Sequence, residues 1–429
     1  MFGPVSWDPN LMQRYGQTHQ PTCWYPGPAD LRDRLSPLDL FRALRDSRRA
    51  RRPLSLAIHA TDLAYVQREL QQVTCHLDAG QSVVQLRLNV GTLGIEAVRG
   101  LMALLQDCLP FAPGMDCIAE VELAHTDWPM VGVLRSLGFN QLSVGVPDLH
   151  PSEGGTLEYF RSATRIRALI EAARALHFSA INVDLGYGRS WQTGGSFARK
   201  LASIIELQPD RVTMFDYRGL PLAGRQPVPR LGLASRSAAR AMHRHGVEQL
   251  GDAGYRLLGL GCFVLPHDDL ALAQENGSLQ HDVCGYTPHA GVDHLALGVG
   301  AISRLGDCYV QYLEQPARYR QALERDLLPV WRGLRAEHVD RLRRAICQQL
   351  LCQSAVDFAV LRADHGAAAQ RWLDELLPLL RQLERDGALE LLPEGLLLRP
   401  AGRLLAPALC EAFSEPLLGG SDGLRHNRR

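Results

Sequence analysis

The residues of this 429-residue chain best suited to chemistry are its cysteines and histidines. Cysteines stand at 23, 75, 108, 117, 262, 284, 308, 347, 352 and 410. Thiolates in tight repeats such as C-x-x-C hold zinc or iron–sulfur clusters. The closest pairs here, Cys108/Cys117 and Cys347/Cys352, lack that spacing, so a thiolate metal site would have to be gathered from distant parts of the chain. Scattered thiols suit reduced cysteines in a cytoplasm rather than a disulfide framework. Histidines crowd the later half, at His243, His245, His267, His281, His289 and His294. A neutral imidazole can ligate haem iron, yet most histidines of any chain ligate nothing. No nucleophilic triad, P-loop or zinc-protease helix is legible, and Gly298-Val-Gly300 alone is too short a signal for a dinucleotide site.

Lys+Arg and Asp+Glu balance at 46 each, so no net field favours nucleic acid or an anionic membrane. The basic residues are nearly all arginine, Lys200 being the only lysine, which reads as codon bias. No apolar run approaches the roughly 18 residues that span a bilayer. The start, Met1 through Asn10, lacks the basic and apolar regions of a signal peptide. The expectation is a cytoplasmic protein with neither nucleic-acid partner nor membrane span.

The elements that would position any site follow a β/α rhythm. Short apolar runs read as buried strands at Leu54–His59, Val83–Val90, Cys117–Leu123, Gln141–Val146, Ala180–Leu185 and Arg211–Phe215, with a seventh at Arg256–Leu260. Amphipathic segments such as Ile95–Cys108 and Tyr159–Leu176 separate them. This alternation predicts an α/β fold: a partly open (β/α)6-type barrel of parallel strands, with functional residues at the strands' carboxyl ends. Residues 1–52 read as an arm and a helix, 53–265 as the barrel, 266–330 as a barrel extension, and 331–429 as a mainly helical domain. In that last segment His338–Gln353 and Ala367–Arg385 are amphipathic, and Leu391–Leu398 reads as a small hairpin in a winged-helix-like arrangement.

Several stretches resemble the oxygen-independent coproporphyrinogen III dehydrogenase (oxidase) family of radical S-adenosylmethionine proteins. Gly138-Phe-Asn-Gln-Leu-Ser-Val-Gly-Val146 resembles that family's G-F-N-R-L-S-x-G-V strand. Asn182-Val-Asp-Leu-Gly-Tyr-Gly188 resembles its N-I-D-L-I-Y-G. Pro209-Asp-Arg211, Phe215-Asp-Tyr217, Gly298-Val-Gly-Ala-Ile-Ser303 and Gly306-Asp-Cys-Tyr309 fit as well, in order, from about Tyr15 to about Phe413. The resemblance implies a radical-SAM-like barrel and a place in haem (porphyrin) biosynthesis.

Carried over residue by residue, the resemblance implies remnant cofactor contacts. These are His59 closing the first strand, Gly91 and Thr92 in the glycine loop, Glu120 in strand three, Asp184 in strand five, and Ile302. The departures are as marked. The family's C-x-x-x-C-x-x-C should follow the first strand, but the chain reads His59-Ala-Thr-Asp-Leu-Ala-Tyr-Val-Gln-Arg-Glu-Leu70, without a cysteine. A family tyrosine is Ala57, a loop glycine is Val90, a glutamine is Pro147, an arginine aligns near Tyr159, and a small alanine after strand six is Arg218. The family's substrates carry propionates, which pair with guanidinium groups. Arg218 and Arg225 are therefore the substrate-binding candidates, with Arg218 alternatively neutralising Glu120 and Asp184. His289 and His294 lie in a glycine-rich loop that resembles a family segment near the active site, which makes them the candidates for haem.

The expected function is a degenerate member of this family, a pseudoenzyme without a [4Fe–4S] cluster, with no metal site assigned and no catalytic residue identified. It would keep a remnant S-adenosylmethionine pocket, bind haem or another tetrapyrrole, or regulate an active paralogue. The alternatives are an active oxidase that converts coproporphyrinogen III to protoporphyrinogen IX by oxidative decarboxylation, and a scaffold with no ligand.

Overall fold

The computed structural model describes residues 3–16, 25–59, 63–78, 80–91, 93–146, 164–219 and 232–414. Thr92, Pro147, Tyr159 and Arg225 lie outside them. The chain groups into two compact units. One comprises Leu31–Met242 and His289–Arg335, and the other Met1–Asp30, His243–Pro288 and Ala336–Arg429. This grouping crosses the four segments suggested by sequence texture. Helix Pro37–Ala50 belongs with the sheet because its apolar stripe, Leu40, Ala43 and Leu44, is buried in that unit. The loss of β/α alternation near residue 266 marks a change of topology.

In the first unit, six strands pair in parallel and in sequence order: β1 Leu54–His59, β2 Val83–Asn89, β3 Phe111–Glu122, β4 Gln141–Val146, β5 Ala180–Tyr187 and β6 Arg211–Asp216. Helices Leu63–Thr74, Ile95–Cys108, Trp128–Ser136, residues 164–175 and Gly194–Ile205 lie between them in sequence. Their starts are chemically marked: Asp127 Oδ1 accepts the Met130 N–H, and Thr193 and Ser196 form a reciprocal capping box. On the other side of β1, Asp293–Gly298 pairs in parallel. Ile302–Leu305, Cys308–Tyr312 and Val330–Arg335 then add antiparallel strands. The expected partly open, parallel α/β barrel is what the strands build. The seventh apolar run differs: Arg256–Gly259 pairs antiparallel with Cys262–Val264 and belongs to the other unit. The two-residue Leu-Gly turn at 260–261 leaves no room for a crossover helix, which a parallel pair requires.

Alternation along the strands separates two chemistries. Leu56, Ile58, Leu86, Leu88, Val144, Val183, Leu185 and Val212 are buried on one face. Many residues of the opposite parity are polar and bond to one another across strands. Ser55 Oγ meets Gln85 Oε1 at 3.0 Å and His294 Nδ1 at 3.3 Å. Gln141 bridges Asp116 and Arg211 at 2.9 and 3.0 Å. Asn182 reaches Ser143, Asp184 and Thr213. A buried polar residue without a partner costs free energy, so this cross-strand network satisfies the interior face and fixes register.

The second unit is mainly helical. Helices His338–Gln353, Phe358–His365, Ala367–Arg385 and Ala406–Ser414 accompany a small antiparallel sheet in the order Ala355–Asp357, Gly395–Leu398, Leu389–Leu392. Trp372, buried at the centre, donates its indole N–H to the Phe413 carbonyl at 2.8 Å. Helices followed by a hairpin match the winged-helix-like expectation. Among the described residues no helix is long and apolar enough to cross a membrane.

Candidate functional site

The carboxyl ends of β1 to β6 bring most of the expected residues to one mouth. His59 is the last residue of β1, in register with Gly298. Gly298 sits at φ +111°, and a Cβ there would lie 2.5 Å from the His59 carbonyl oxygen, so the position must be glycine. Burial lowers the pKa of His59, Glu120 opposes that shift, and Arg87 adds to it. These three side chains therefore share one neighbourhood.

Arg87 was not anticipated from sequence. Its Nη1 lies 3.1 Å from Glu120 Oε1, so the carboxylate expected to face a cofactor already has a counter-ion from the neighbouring strand. The signal was present: Arg87 has the same parity on β2 as Gln85, whose side chain bonds to Ser55. Asp184 has neutral partners, Ser143 Oγ at 3.1 Å and Asn182 Nδ2 at 2.9 Å. Gly91 follows β2 at φ +31°, with Asn89 Oδ1 only 2.8 Å from where a Cβ would stand. Ile302 is buried one strand beyond Asp293–Gly298 in sheet order.

The arginine after β6 is placed differently from the expectation that it neutralises Glu120 and Asp184. Arg218 grips Asp216, with Nε 3.1 Å from both carboxylate oxygens and Nη2 at 2.5 Å from Oδ2. That bonding raises its pKa further. The pair is only two residues apart, and such local bidentate geometry outcompetes a reach across the barrel.

Tyr217 is a second unanticipated feature. Its ring packs on Gly186, where a Cβ would come within 2.3 Å of Cε2 and Cζ. Gly186 occupies the position of isoleucine in the family's N-I-D-L-I-Y-G, so the tyrosine ring fills the volume a branched side chain would take. The Arg189 guanidinium lies 3.8 Å from the Tyr217 ring centroid and 5.3 Å from that of Trp191. Arg189 therefore covers the buried Tyr217 ring, with Trp191 beside it.

Beneath the mouth, Glu69 has no exposed surface. It accepts the Tyr319 hydroxyl at 2.6 Å and the Gly298 N–H at 3.1 and 3.4 Å. Burial pushes its carboxyl up to about 8, and those hydrogen bonds hold the shift back. Glu69 falls on the buried stripe of its helix with Val66, Leu70 and Val73, and a charge on an apolar stripe was the clue that sequence offered.

The candidate haem ligands are engaged within the protein. His289 Nε2 pairs with Asp116 Oδ2 at 2.8 Å, and His294 is buried against Ser55. His281 is partly buried, and desolvation lowers its pKa to about 4.

A [4Fe–4S] cluster held as the family motif holds it does not fit these residues. Residues 59–74 contain no thiol. Cys75 is exposed, its Sγ bonded to the Gln72 carbonyl. It follows the 12-residue helix Leu63–Thr74, about 18 Å along the axis from the helix's start near the mouth. Among the described residues no group of three or more His, Cys, Asp or Glu side chains is placed to hold a metal ion.

No family model matches the chain. It is 35% identical over 448 residues to the oxygen-independent coproporphyrinogen III oxidase of Pseudomonas aeruginosa, covering 97% of each. The Escherichia coli protein of the same name is 30% identical over 437 residues, covering 95% of each. The solved structure of coproporphyrinogen III oxidase (HemN) from Escherichia coli, described as a radical SAM enzyme, superposes with a TM-score of 0.85 at 28% identity, over 96% of this chain and 99% of that one.

Proposed function

Because the chain belongs to the oxygen-independent coproporphyrinogen III oxidase family, we propose that it serves haem biosynthesis as a tetrapyrrole-binding member that lacks the radical reaction. The observation that carries this reading is the thiol-free stretch after β1. Cluster irons are held by thiolates, and no three are available there. The Arg87–Glu120 pair supports it, since one of the inherited acidic positions is neutralised from within. The groups that remain suit a tetrapyrrole carboxylate: Arg189, stacked on the buried Tyr217 ring beside Trp191, and Arg218 carry guanidinium groups that can pair with propionates. A regulatory role toward an active relative belongs to the same reading.

An active oxidase is the second reading, and the names of the relatives, matched along nearly the whole chain, favour it. It requires a cluster held by a ligand set different from the family motif, with Cys75 the first thiol after β1. The deciding experiment measures iron and acid-labile sulfide, with an absorption spectrum, after anaerobic purification and reconstitution. Iron-free protein whose melting temperature rises with coproporphyrin supports the binding reading, because a ligand that prefers the native state stabilises it. About four irons and four sulfides per chain, the content of one such cluster, would replace it with the oxidase. Iron-free protein whose melting is unmoved by coproporphyrin, protoporphyrin, haem and S-adenosylmethionine would leave only a scaffold.

A further inference from the structure

The outer edge of the sheet holds a groove unrelated to the mouth. It is lined by Leu31, Arg32, Arg34, Leu35, Trp331 and Arg332, with a volume of about 610 Å³. That lies within the range of roughly 300–1,000 Å³ common for small-molecule sites. Val330–Arg335 is the terminal strand on this side of the sheet, and three strands separate it from β1.

The walls are fixed. Asp33 and Gly333 exchange backbone hydrogen bonds, both 2.9 Å, which pins the 31–35 segment to the edge strand. Gly333 is required there, since a Cβ would lie 2.0 Å from the Tyr309 carbonyl oxygen and 2.3 Å from Leu35 Cδ1. Extended backbone sends Arg32 and Arg34 to one face and Asp33 to the other, where the Asp33 carboxylate accepts the Arg335 N–H at 3.1 Å. Leu31 is buried. Trp331 is 41% exposed, and the Arg332 guanidinium stands 4.1 Å from its ring centroid while Arg332 Nε donates to Gln311 at 2.7 Å. The stacked pair is thus held in place as a flat surface. Three guanidinium groups, and no carboxylate, are among the lining residues.

We propose that this groove binds a small amphipathic anion: an apolar or aromatic body that lies on Trp331 and carries carboxylate or phosphate groups toward Arg32 and Arg34. A guanidinium pairs bidentately with either group, and an aromatic ring adds stacking that a simple ion would not use. A soluble metabolite and an anionic lipid headgroup share this chemistry.

The test uses the full chain with two probes. The first is 1-pyrenebutyrate, followed by energy transfer from tryptophan. The second is phosphatidylcholine vesicles containing phosphatidylglycerol, followed by co-sedimentation. Saturable binding that weakens at least tenfold in the Arg32→Gln/Arg34→Gln double variant, and that loses part of its energy transfer in Trp331→Phe, supports the site. If the double variant fails to fold, Arg34→Lys replaces it, with severalfold weaker binding expected because the fork geometry is lost. Pyrenebutyrate binding alone assigns a soluble ligand. Vesicle binding abolished by the arginine variant assigns a headgroup. No binding of either probe, or affinity unchanged in the arginine variants, overturns the proposal.

Discussion

Arg87 on β2 stands 3.1 Å from Glu120 on β3, side by side at the barrel mouth with His59 on β1. A carboxylate expected to face a ligand closes an ion pair within the protein. Both members are partly exposed, so the pair contributes on the order of 1 kcal/mol. Arg87→Met should lower the melting temperature by a few degrees, and Glu120→Gln in that background should recover part of it. A double-mutant cycle measures the coupling; strictly additive losses would mean that the two side chains do not interact.

Glu69 predicts a pH dependence with a definite sign. Its folded-state carboxyl lies near 8, above the ordinary 4.5. The stability tied to the protonated form is complete below about 4.5, falls as pH rises, and is gone above about 8. Glu69→Gln mimics the protonated group and should flatten urea-unfolding stability across that window. An equal slope in the variant would place the titration elsewhere.

Gly186→Ala should displace the Tyr217 ring, because the new methyl would sit 2.3 Å from two ring carbons. Overpacking of this kind costs about 1–3 kcal/mol. The loss should be largely relieved in Gly186→Ala/Tyr217→Leu. Calorimetric melting of Gly186→Ala, Tyr217→Leu and the double variant separates steric conflict from loss of backbone freedom, since only the former is relieved.

If a tetrapyrrole enters the mouth, Arg218 must exchange Asp216 for a propionate. Asp216→Asn should therefore tighten coproporphyrin binding and Arg218→Gln should weaken it. Each change is expected to be roughly threefold to tenfold, about 0.7–1.4 kcal/mol. Fluorescence titration reads both. Identical affinities in the two variants would remove Arg218 from the binding surface.

The barrel was legible because its strands advertise themselves twice. Leu54–His59 and Gln141–Val146 are apolar runs bounded by turns, and the structure places strands at those same residues. Helices His338–Gln353 and Ala367–Arg385 were likewise readable from their apolar period. The site was less legible because its pairings join residues far apart in sequence. Arg87 and Glu120 meet only through the β2–β3 register, and Glu69 and Tyr319 meet across 250 positions. A resemblance can carry Glu120 onto the mouth, but not its new neighbour. The partner of Arg218 went the other way: two residues distant, and simpler than the long-range contact expected for it.

The Gly186–Tyr217 contact ties two positions to a common history. Isoleucine cannot return at 186 while the tyrosine ring lies on the backbone there, and Tyr217 cannot swing out without leaving a void that a glycine cannot fill. The two sites are sterically exclusive: a bulky residue at 186 and a ring lying over that backbone cannot coexist, so wherever isoleucine stands at 186 the ring of a tyrosine at 217 should be displaced.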